Sequence, residues 1–481
     1  MKRNATETIK TIAVCVLLVS LVCLCTVYLF SFERNTAPQF TASMLSSLIS
    51  RSSKNVYLDE FSPSLVTPYF IGVSIDGEKQ GVFTDTDNSS ISTLYEQVAE
   101  FFPTLFAKGS VRALAEDEGR REFASALSGR FIYISYFAEL PKSVIYYMTF
   151  PQNMSDDVSD EYISELVIFP SGSPTRIVDT DIYGQPITIE LFAFSAIGRN
   201  DAGEYFLYYS DFVPQNLSDV YFGKSKISSY NMTGAVQFEF AADIADYTDS
   251  YVRQTTVITN DLTCAGANIS LPLANISDNI SSAVNAFGLH YEKAARYMDY
   301  DSSITFLEEG HNVRVTRGGV LYYNVTGSSG GVMMDSLGVP GESAYSISDY
   351  AFASLKLIKA MENDHGGLKL KLNGIYADGE NIVVTLGYSC FNLAVVCDQT
   401  TDLFRFEFNS GKLMKAKVTL LSSLNGKKYE YIPQAWDLNV FAAMSERECD
   451  FLPVFVLKSN GDDKAVYAEW RALTANVGVR E

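Results

Sequence analysis

The sequence predicts an α+β protein: a single N-terminal transmembrane helix followed by a multidomain extracytoplasmic region of mostly antiparallel sheets with packed helices. Three observations lead there. One uninterrupted apolar stretch occupies residues 11–32. Tyr and Phe number 29 and 31, an abundance that suits many half-buried strands. A few segments instead place apolar residues three and four apart, the helical period.

The apolar stretch is justified first. From Thr11 to Phe32 the chain reads TIAVCVLLVSLVCLCTVYLFSF, without a charge, Pro or Gly. At about 1.5 Å per residue it makes a helix of roughly 33 Å, enough to cross a hydrocarbon core. Lys2, Arg3 and Lys10 precede it, which leaves a cytoplasmic tail of residues 1–10 and sends the rest of the chain outward. A cleaved signal peptide has a shorter apolar region ending in small residues, whereas this one ends in Tyr28-Leu29-Phe30-Ser31-Phe32. The stretch reads as an uncleaved anchor.

The formal charge of −20 makes electrostatic capture of nucleic acid an unsuitable role. The length suggests about three outer domains, placed at residues 36–155, 156–300 and 301–481. Cys15, Cys23 and Cys25 lie inside the apolar stretch, leaving Cys264, Cys390, Cys397 and Cys449 outside it. Cys390 and Cys397 flank the segment 391–396 between two strand-like runs, compatible with a hairpin-closing disulfide that spacing alone does not establish. No C-x-x-C spacing occurs, so a zinc site is not expected.

In the first stretch, Tyr69–Ile75 reads as a strand. Ile91, Leu94, Tyr95, Val98, Phe101 and Phe102 recur at helical spacing, predicting a helix over 90–102. A second helix is predicted over 113–128, with Gly129 as a left-handed cap. The strand Phe131–Phe137 follows, and Pro141 opens a short helix. Ser155–Glu161 reads as a solvated connection. In the middle stretch Ser164–Phe169, Ile187–Phe194 and Glu204–Tyr209 read as strands, and a helix is predicted near 277–298 with Ile280, Val284, Phe287 and Tyr291 on one face. The last stretch predicts a helix over 347–361 and strands over 381–388, 402–408 and 413–421, with Asn409-Ser410-Gly411 as a turn. Helix followed by strand meander near 280–324 and again near 347–421 suggests a structural repeat.

The sequence nominates no catalytic residue, cofactor site or metal site. His290, His311 and His365 share no motif. Gly223-Lys224-Ser225 lacks the earlier glycine of a phosphate loop, and no strand–elbow–helix surrounds the serines of Gly327–Gly331. Asp179, Asp181, Gly184 and Glu190 fall at calcium-loop positions, but the flanks read as strands and a β-turn explains the same letters. Glu308-Glu309 and Asp462-Asp463 are adjacent, and neighbours on a strand point to opposite faces, which does not suit paired acid/base work. Asn-x-Ser/Thr triplets, among them Asn216, Asn231, Asn268, Asn275 and Asn324, would be glycan acceptors in a eukaryotic secretory protein.

Three blocks in order resemble the YycH family (YycH/YycI), membrane-anchored accessory proteins of an essential bacterial wall-sensing two-component system. They are Phe70-Ile-Gly-Val-Ser-Ile-Asp-Gly77, Phe131-Ile-Tyr-Ile-Ser-Tyr-Phe-Ala-Glu-Leu-Pro141, and Phe306–Asn324 with its Glu-Glu-Gly-His-Asn core. The chain's end, with Phe451–Val456 and Trp470, continues the order. The resemblance implies regulation by contact: binding of a sensor histidine kinase, together with a sister YycI-like protein, through the transmembrane helix and the ectodomain. Within the apolar stretch Val16, Ser20, Cys23 and Val27 fall on one helical stripe, the candidate partner-binding face, because small and polar residues drive helix association in lipid. The competing classes are an extracytoplasmic ligand-binding or adhesion protein and an envelope hydrolase.

Overall fold

The computed structural model of the protein describes residues 63–75, 77–82, 85–86, 89–150, 158–180, 186–209, 236–240, 256–258, 276–316, 319–326, 330–339, 345–361, 369–390, 392–397, 401–419, 450–458 and 465–473. The chain separates into two units, Met1–Ser53 and Lys54–Glu481, and all described residues belong to the second. The predicted membrane helix and its stripe of Val16, Ser20, Cys23 and Val27 lie outside the described residues. Among those described, no helix is long and apolar enough to cross a membrane.

The architecture is α+β, and every described strand pair is antiparallel except one. Alternating runs from the first two predicted stretches build a nine-stranded sheet. Its strands are β1 (Phe70–Ile75), β2 (Glu78–Val82), β5 (Ser110–Leu114), β6 (Phe131–Pro141), β7 (Tyr162–Thr180), β8 (Pro186–Arg199), β9 (Tyr205–Tyr209), β10 (Val236–Phe240) and β11 (Thr256–Ile258), in the order β11-β10-β2-β1-β6-β7-β8-β9-β5. A small separate ladder pairs β3 (Asp85–Thr86) with β4 (Ser89–Ser90). The second sheet has twelve strands. They are β12 (Ala295–Met298), β13 (Ile304–Glu308), β14 (His311–Val315), β15 (Val320–Val325), β16 (Val332–Met333), β17 (Lys369–Asp378), β18 (Asn381–Cys390), β19 (Leu393–Cys397), β20 (Phe404–Asn409), β21 (Lys412–Thr419), β22 (Asp450–Lys458) and β23 (Ala465–Leu473). The parallel exception is β19 with β22.

Among the described residues five helices pack on these sheets: α1 (Ile91–Ala99), α2 (Glu116–Leu127), α3 (Lys142–Thr149), α4 (Ile276–Ala286) and α5 (Ile347–Ala360). The predicted stripe of α1 is buried in full, and a π-helical turn over Pro103–Ala107 carries Phe102, Leu105 and Phe106 into the same core. Strand alternation then assigns the faces of the first sheet. Ile71, Ile134, Leu166 and, one row on, Val73, Ile132, Ile168, Ala196 and Tyr208 point toward α1 and α3. The opposite face meets α2, whose Phe123 ring lies edge-on to Tyr205.

Three helix expectations are corrected. The second predicted helix begins at Glu116 rather than 113, because Ser110–Leu114 pairs with β9. Gly129 is not a left-handed cap: the last turn closes through Ser128, whose backbone N–H donates to Ser125 O, without a positive φ at Gly129. The helix predicted near 277–298 stops at Ala286, where Gly288 at φ +80° turns the chain; His290 sits in that turn, and Ala295–Met298 is a strand. Ile280, Val284 and Phe287 are buried as expected. Helix α5 begins at a capping box, with Ser346 N–H donating to Asp349 Oδ2 at 2.8 Å. The turn at Asn409-Ser410-Gly411 has φ of +47° at Ser410 and +75° at Gly411, the pair of positive values that a two-residue hairpin needs. Cys390 pairs across the hairpin with Leu393, which leaves Cys397 four positions along β19, roughly 13 Å away at strand rise and beyond disulfide reach.

The suggested repeat is visible as topology. A helix followed by a four-stranded meander occurs as α4 with β12-β13-β14-β15, and again as α5 with β17-β18-β20-β21. The fourth strand of each, β15 and β21, pair antiparallel, so the meanders meet with a topological two-fold between them. Residues Phe306, Val313, Tyr323, Ala416, Phe406, Val384 and Ile375 form one continuous inner row toward the helices.

The two sheets share one core because the second grips the start of the first. Lys371 Nζ, on β17, donates to Thr67 O at 3.2 Å and lies 5.5 Å from the Phe137 ring centre. Asn392, in the β18–β19 turn, donates from Nδ2 to Pro68 O at 2.9 Å. Both side chains are buried, so these bonds satisfy carbonyls that water does not reach.

Two stability predictions follow from this packing. Asn392 has φ +68°, a conformation that Gly tolerates and Ala does not. In urea unfolding, Asn392→Gly should cost about 1–3 kcal/mol through the lost donor, and Asn392→Ala about 1–2 kcal/mol more through backbone strain; equal midpoints for the two would show that the conformation contributes nothing. A Cβ on Gly119 of α2 would lie 2.4 Å from Tyr205 Cγ. Gly119→Ala should therefore lower the melting temperature, although Ala favours an isolated helix by about 1 kcal/mol.

Candidate interaction surface

The buried charges come first, since they are where chemistry would reside. Glu165 on β7 is fully buried, with Arg199 Nε on β8 3.0 Å from Oε2, and it accepts the Tyr133 hydroxyl proton. Ser135, Glu165, Arg199 and Tyr205 form one cross-strand row beneath α2, with the guanidinium 5.9 Å from the Phe123 ring centre. Burial holds the Tyr133 phenol well above its usual range, and the Glu165 charge adds to that. The row is enclosed by helix and sheet.

A second cluster joins α3 to the start of β7. Lys142 Nζ lies 2.6 Å from Glu161 Oε2, donates to Ser159 Oγ at 2.7 Å, and sits 5.0 Å from the Tyr208 ring centre. Ser143 Oγ donates to Asp160. Burial draws the Lys142 amine below its usual value despite Glu161 and Asp160. Burial pushes the Glu161 carboxyl up, but its bonds to Lys142 and Ser159 outweigh that and hold it below the usual carboxylate range. Ser159 and Asp160 are exposed as the connection reading expected, whereas Glu161 is drawn to Lys142 by the β6–β7 pairing.

Most of the residues singled out in the sequence scatter. His290 Nδ1 lies 3.0 Å from Glu308 Oε1, and His311, paired with Glu308 across the β13–β14 turn at the same end of the meander, has its Nδ1 2.8 Å from Tyr323 Oη. Glu308 ends β13, and Glu309 at φ +47° begins the turn with Gly310, so they are not strand neighbours. Asp179 and Glu190 lie on paired strands of the β7–β8 hairpin, with Thr180 opposite Pro186; residues 181–185 lie outside the described residues. Asp462, Asp463, His365, Gly223–Ser225 and four of the five named triplet asparagines also lie outside. Among the described residues no group of His, Cys, Asp and Glu could hold a metal ion.

What the sequence analysis did not anticipate is an open surface on the first meander. Opposite the helices, one cross-strand row carries Tyr297, Thr305, Arg314, Tyr322, Lys417 and Arg405, and the next carries Ala295, Leu307, Asn312, Asn324, Lys415 and Glu407. Tyr297 is 56% exposed, Tyr322 and Leu307 are about as open as surface residues, and at the margin Met298 is 76% exposed and Tyr300 fully so. These are the large apolar side chains that folding ordinarily covers. The strand β12 forms the sheet edge, and all four of its residues are exposed. Arg296 turns inward, its guanidinium 4.1 Å from the Tyr291 ring centre. Glu407 serves both Arg405, at 3.0 Å, and Lys415, at 3.3 Å, while Asp299 and Asp301 in the β12–β13 turn hold Arg314. The signal was in the letters, since Leu307 and Tyr322 stand next to the buried Phe306, Leu321 and Tyr323, but alternation alone does not say which face a helix covers.

Because Glu161 is more acidic folded than unfolded, its contribution to stability is complete above its ordinary value near 4.5 and is lost as pH falls through its lower folded value. Glu161→Gln should therefore flatten the fall of unfolding free energy with acidity below about pH 4.5. An unchanged acid limb would show that the ion pair with Lys142 contributes nothing to folding.

No family model matches the chain, and no curated protein matches it. Among solved structures, the crystal structure of YycH from Bacillus subtilis superposes with a TM-score of 0.48 at 9% sequence identity, covering 86% of this chain and 97% of that one. At that distance no residue role transfers from one chain to the other.

Proposed function

We propose that the protein acts by contact, as a membrane-anchored accessory regulator that binds and modulates a sensor histidine kinase of a cell-envelope two-component system. The observation that carries the contact reading is the open face of the first meander, where Tyr297, Leu307 and Tyr322 stand on a sheet backed by a packed core. Aromatic side chains on a rigid support are the usual anchors of protein interfaces. The kinase as partner, and a sister YycI-like protein beside it, are supported by the ordered blocks at residues 70–77, 131–141 and 306–324. The anchor is supported by the uncharged stretch Thr11–Phe32. In this reading the stripe of Val16, Ser20, Cys23 and Val27 meets the kinase within the membrane, and the outer domains meet its extracytoplasmic part.

Crosslinking of the full-length protein in its own cells tests the reading. A sensor kinase should be recovered, and Ser20→Leu should reduce its yield while leaving the protein in the membrane fraction. Recovery of wall fragments or unrelated envelope proteins without a kinase would turn the reading toward ligand binding or adhesion.

A further inference from the structure

The corner where α3 meets the start of β7 is fastened largely by side chains. Val158–Glu161 precede β7 and belong to no helix or strand. Lys142 N–H donates to Glu161 O at 2.8 Å, and three side-chain bonds run from the first turn of α3: Lys142 to Glu161, Lys142 to Ser159, and Ser143 to Asp160. Ser159 Oγ in turn donates to Glu161 Oε2 at 2.8 Å. Helix α3 also packs on α5 of the second sheet, so the fastening sits on a helix that joins the two sheets.

What lies beneath the fastening makes it sensitive to charge. Lys142 is 2% exposed, with the Phe106 and Tyr208 ring centres 5.9 and 5.0 Å from Nζ. A buried ammonium persists only while a counter-charge and hydrogen bonds offset its lost hydration, and Glu161 supplies that charge at contact distance. Tyr208 Oη is closed off from water and makes no hydrogen bond among the described residues, so opening the corner hydrates it as well. The other ionisable groups around the pair are Asp160 on the same segment, Glu139 on β6 and Tyr162 on β7. Burial pushes the Tyr162 phenol up to about 12 and holds the Tyr208 phenol well above its usual range, so neither titrates in acid.

From this geometry we infer that the corner is an acid-released latch: protonation of Glu161 strands the Lys142 ammonium, and Val158–Glu161 lifts from α3 while both sheets stay folded. Removing one charge of a buried pair costs more than removing both, because the charge that remains has no counterpart. Val158 is the one residue of the four that belongs to the core, so little packing opposes the release. Burial alone would raise the Glu161 carboxyl, but its bonds to Lys142 and Ser159 hold it below its ordinary value of 4.5. The latch is therefore closed above that value and yields as pH falls below it. It does not depend on the identity of any partner.

Amide hydrogen exchange of the full-length protein in detergent, corrected for the intrinsic effect of acidity, tests the latch from about pH 7 to about pH 3. The amides of Lys142 and of residues 158–161 should lose protection at a higher pH than those of β6 and β7. Glu161→Gln should raise exchange at the Lys142 amide at least about tenfold at neutral pH and abolish its dependence on acid. Asp160→Asn should keep that dependence. Lys142→Met added to Glu161→Gln should restore protection, since no charge is then stranded. Loss of protection at the corner and in the strands at one pH, acid dependence surviving in Glu161→Gln, or no rescue by Lys142→Met would overturn the latch. The titration of the unsubstituted protein decides the matter even where Glu161→Gln fails to fold.

Discussion

The grip of Lys371 and Asn392 on the segment at residues 67–69 is the constraint around which the outer region is organised. An extended segment entering a core brings carbonyls that must find donors or be excluded from burial. Backbone partners are scarce where two sheets meet edge to face, and side chains supply them instead. Once those carbonyls are satisfied, β17 can lie against β6, and α3 can pack on α5 across the junction. The buried residues of both sheets then belong to one cluster rather than two. Lys371 is suited to the task because its ammonium both reaches the Thr67 carbonyl and lies over the Phe137 ring.

The second sheet shows what that cover does, since among the described residues β17 has it and β12 does not. Both meanders present the same inner face to helices, and their fourth strands pair to each other. The outer faces then diverge. On the second meander Val383 and Thr385 are buried, whereas on the first Tyr322 and Arg314 meet solvent. A duplicated unit needs only one copy to join the rest of the chain, which leaves the other free to carry a different surface.

Most of what local pattern controls could be read from the letters. The stripe of α1, the capped helix α5 and the turn at Ser410-Gly411 were all legible because each depends on residues within a few positions of one another. The errors arose where pairing overrode pattern. Residues 277–298 carry apolar spacing through Tyr291, but Gly288 and the pairing of Ala295–Met298 with β13 end the helix early. Strand β17 went unread although Lys369-Leu-Lys-Leu alternates, because a lysine in a strand suggests solvent and Lys371 is instead buried. Glu161 looked solvated among its acidic neighbours for the same reason. Its partner Lys142 is distant in sequence, and only the β6–β7 register brings them together. The open face of the first meander belongs to this class as well, since alternation gives two faces and the helices decide which of them is covered.

That dependence on pairing bears on how such a surface could persist. An exposed Tyr on a strand of a marginal sheet would be a liability, because an open apolar edge templates association with any strand it meets. On this sheet the danger is tempered by charge. Arg314 is held by Asp299 and Asp301 beside the edge, and Lys415 stands 62% exposed on the next row. A second copy approaching edge to edge would meet the formal charge of −20 that each chain carries, which opposes closer approach of the two bodies. Self-association through the open face is therefore opposed by the charge of the whole body rather than by the strand that forms the edge, and repulsion does the work that a blunted edge would otherwise do.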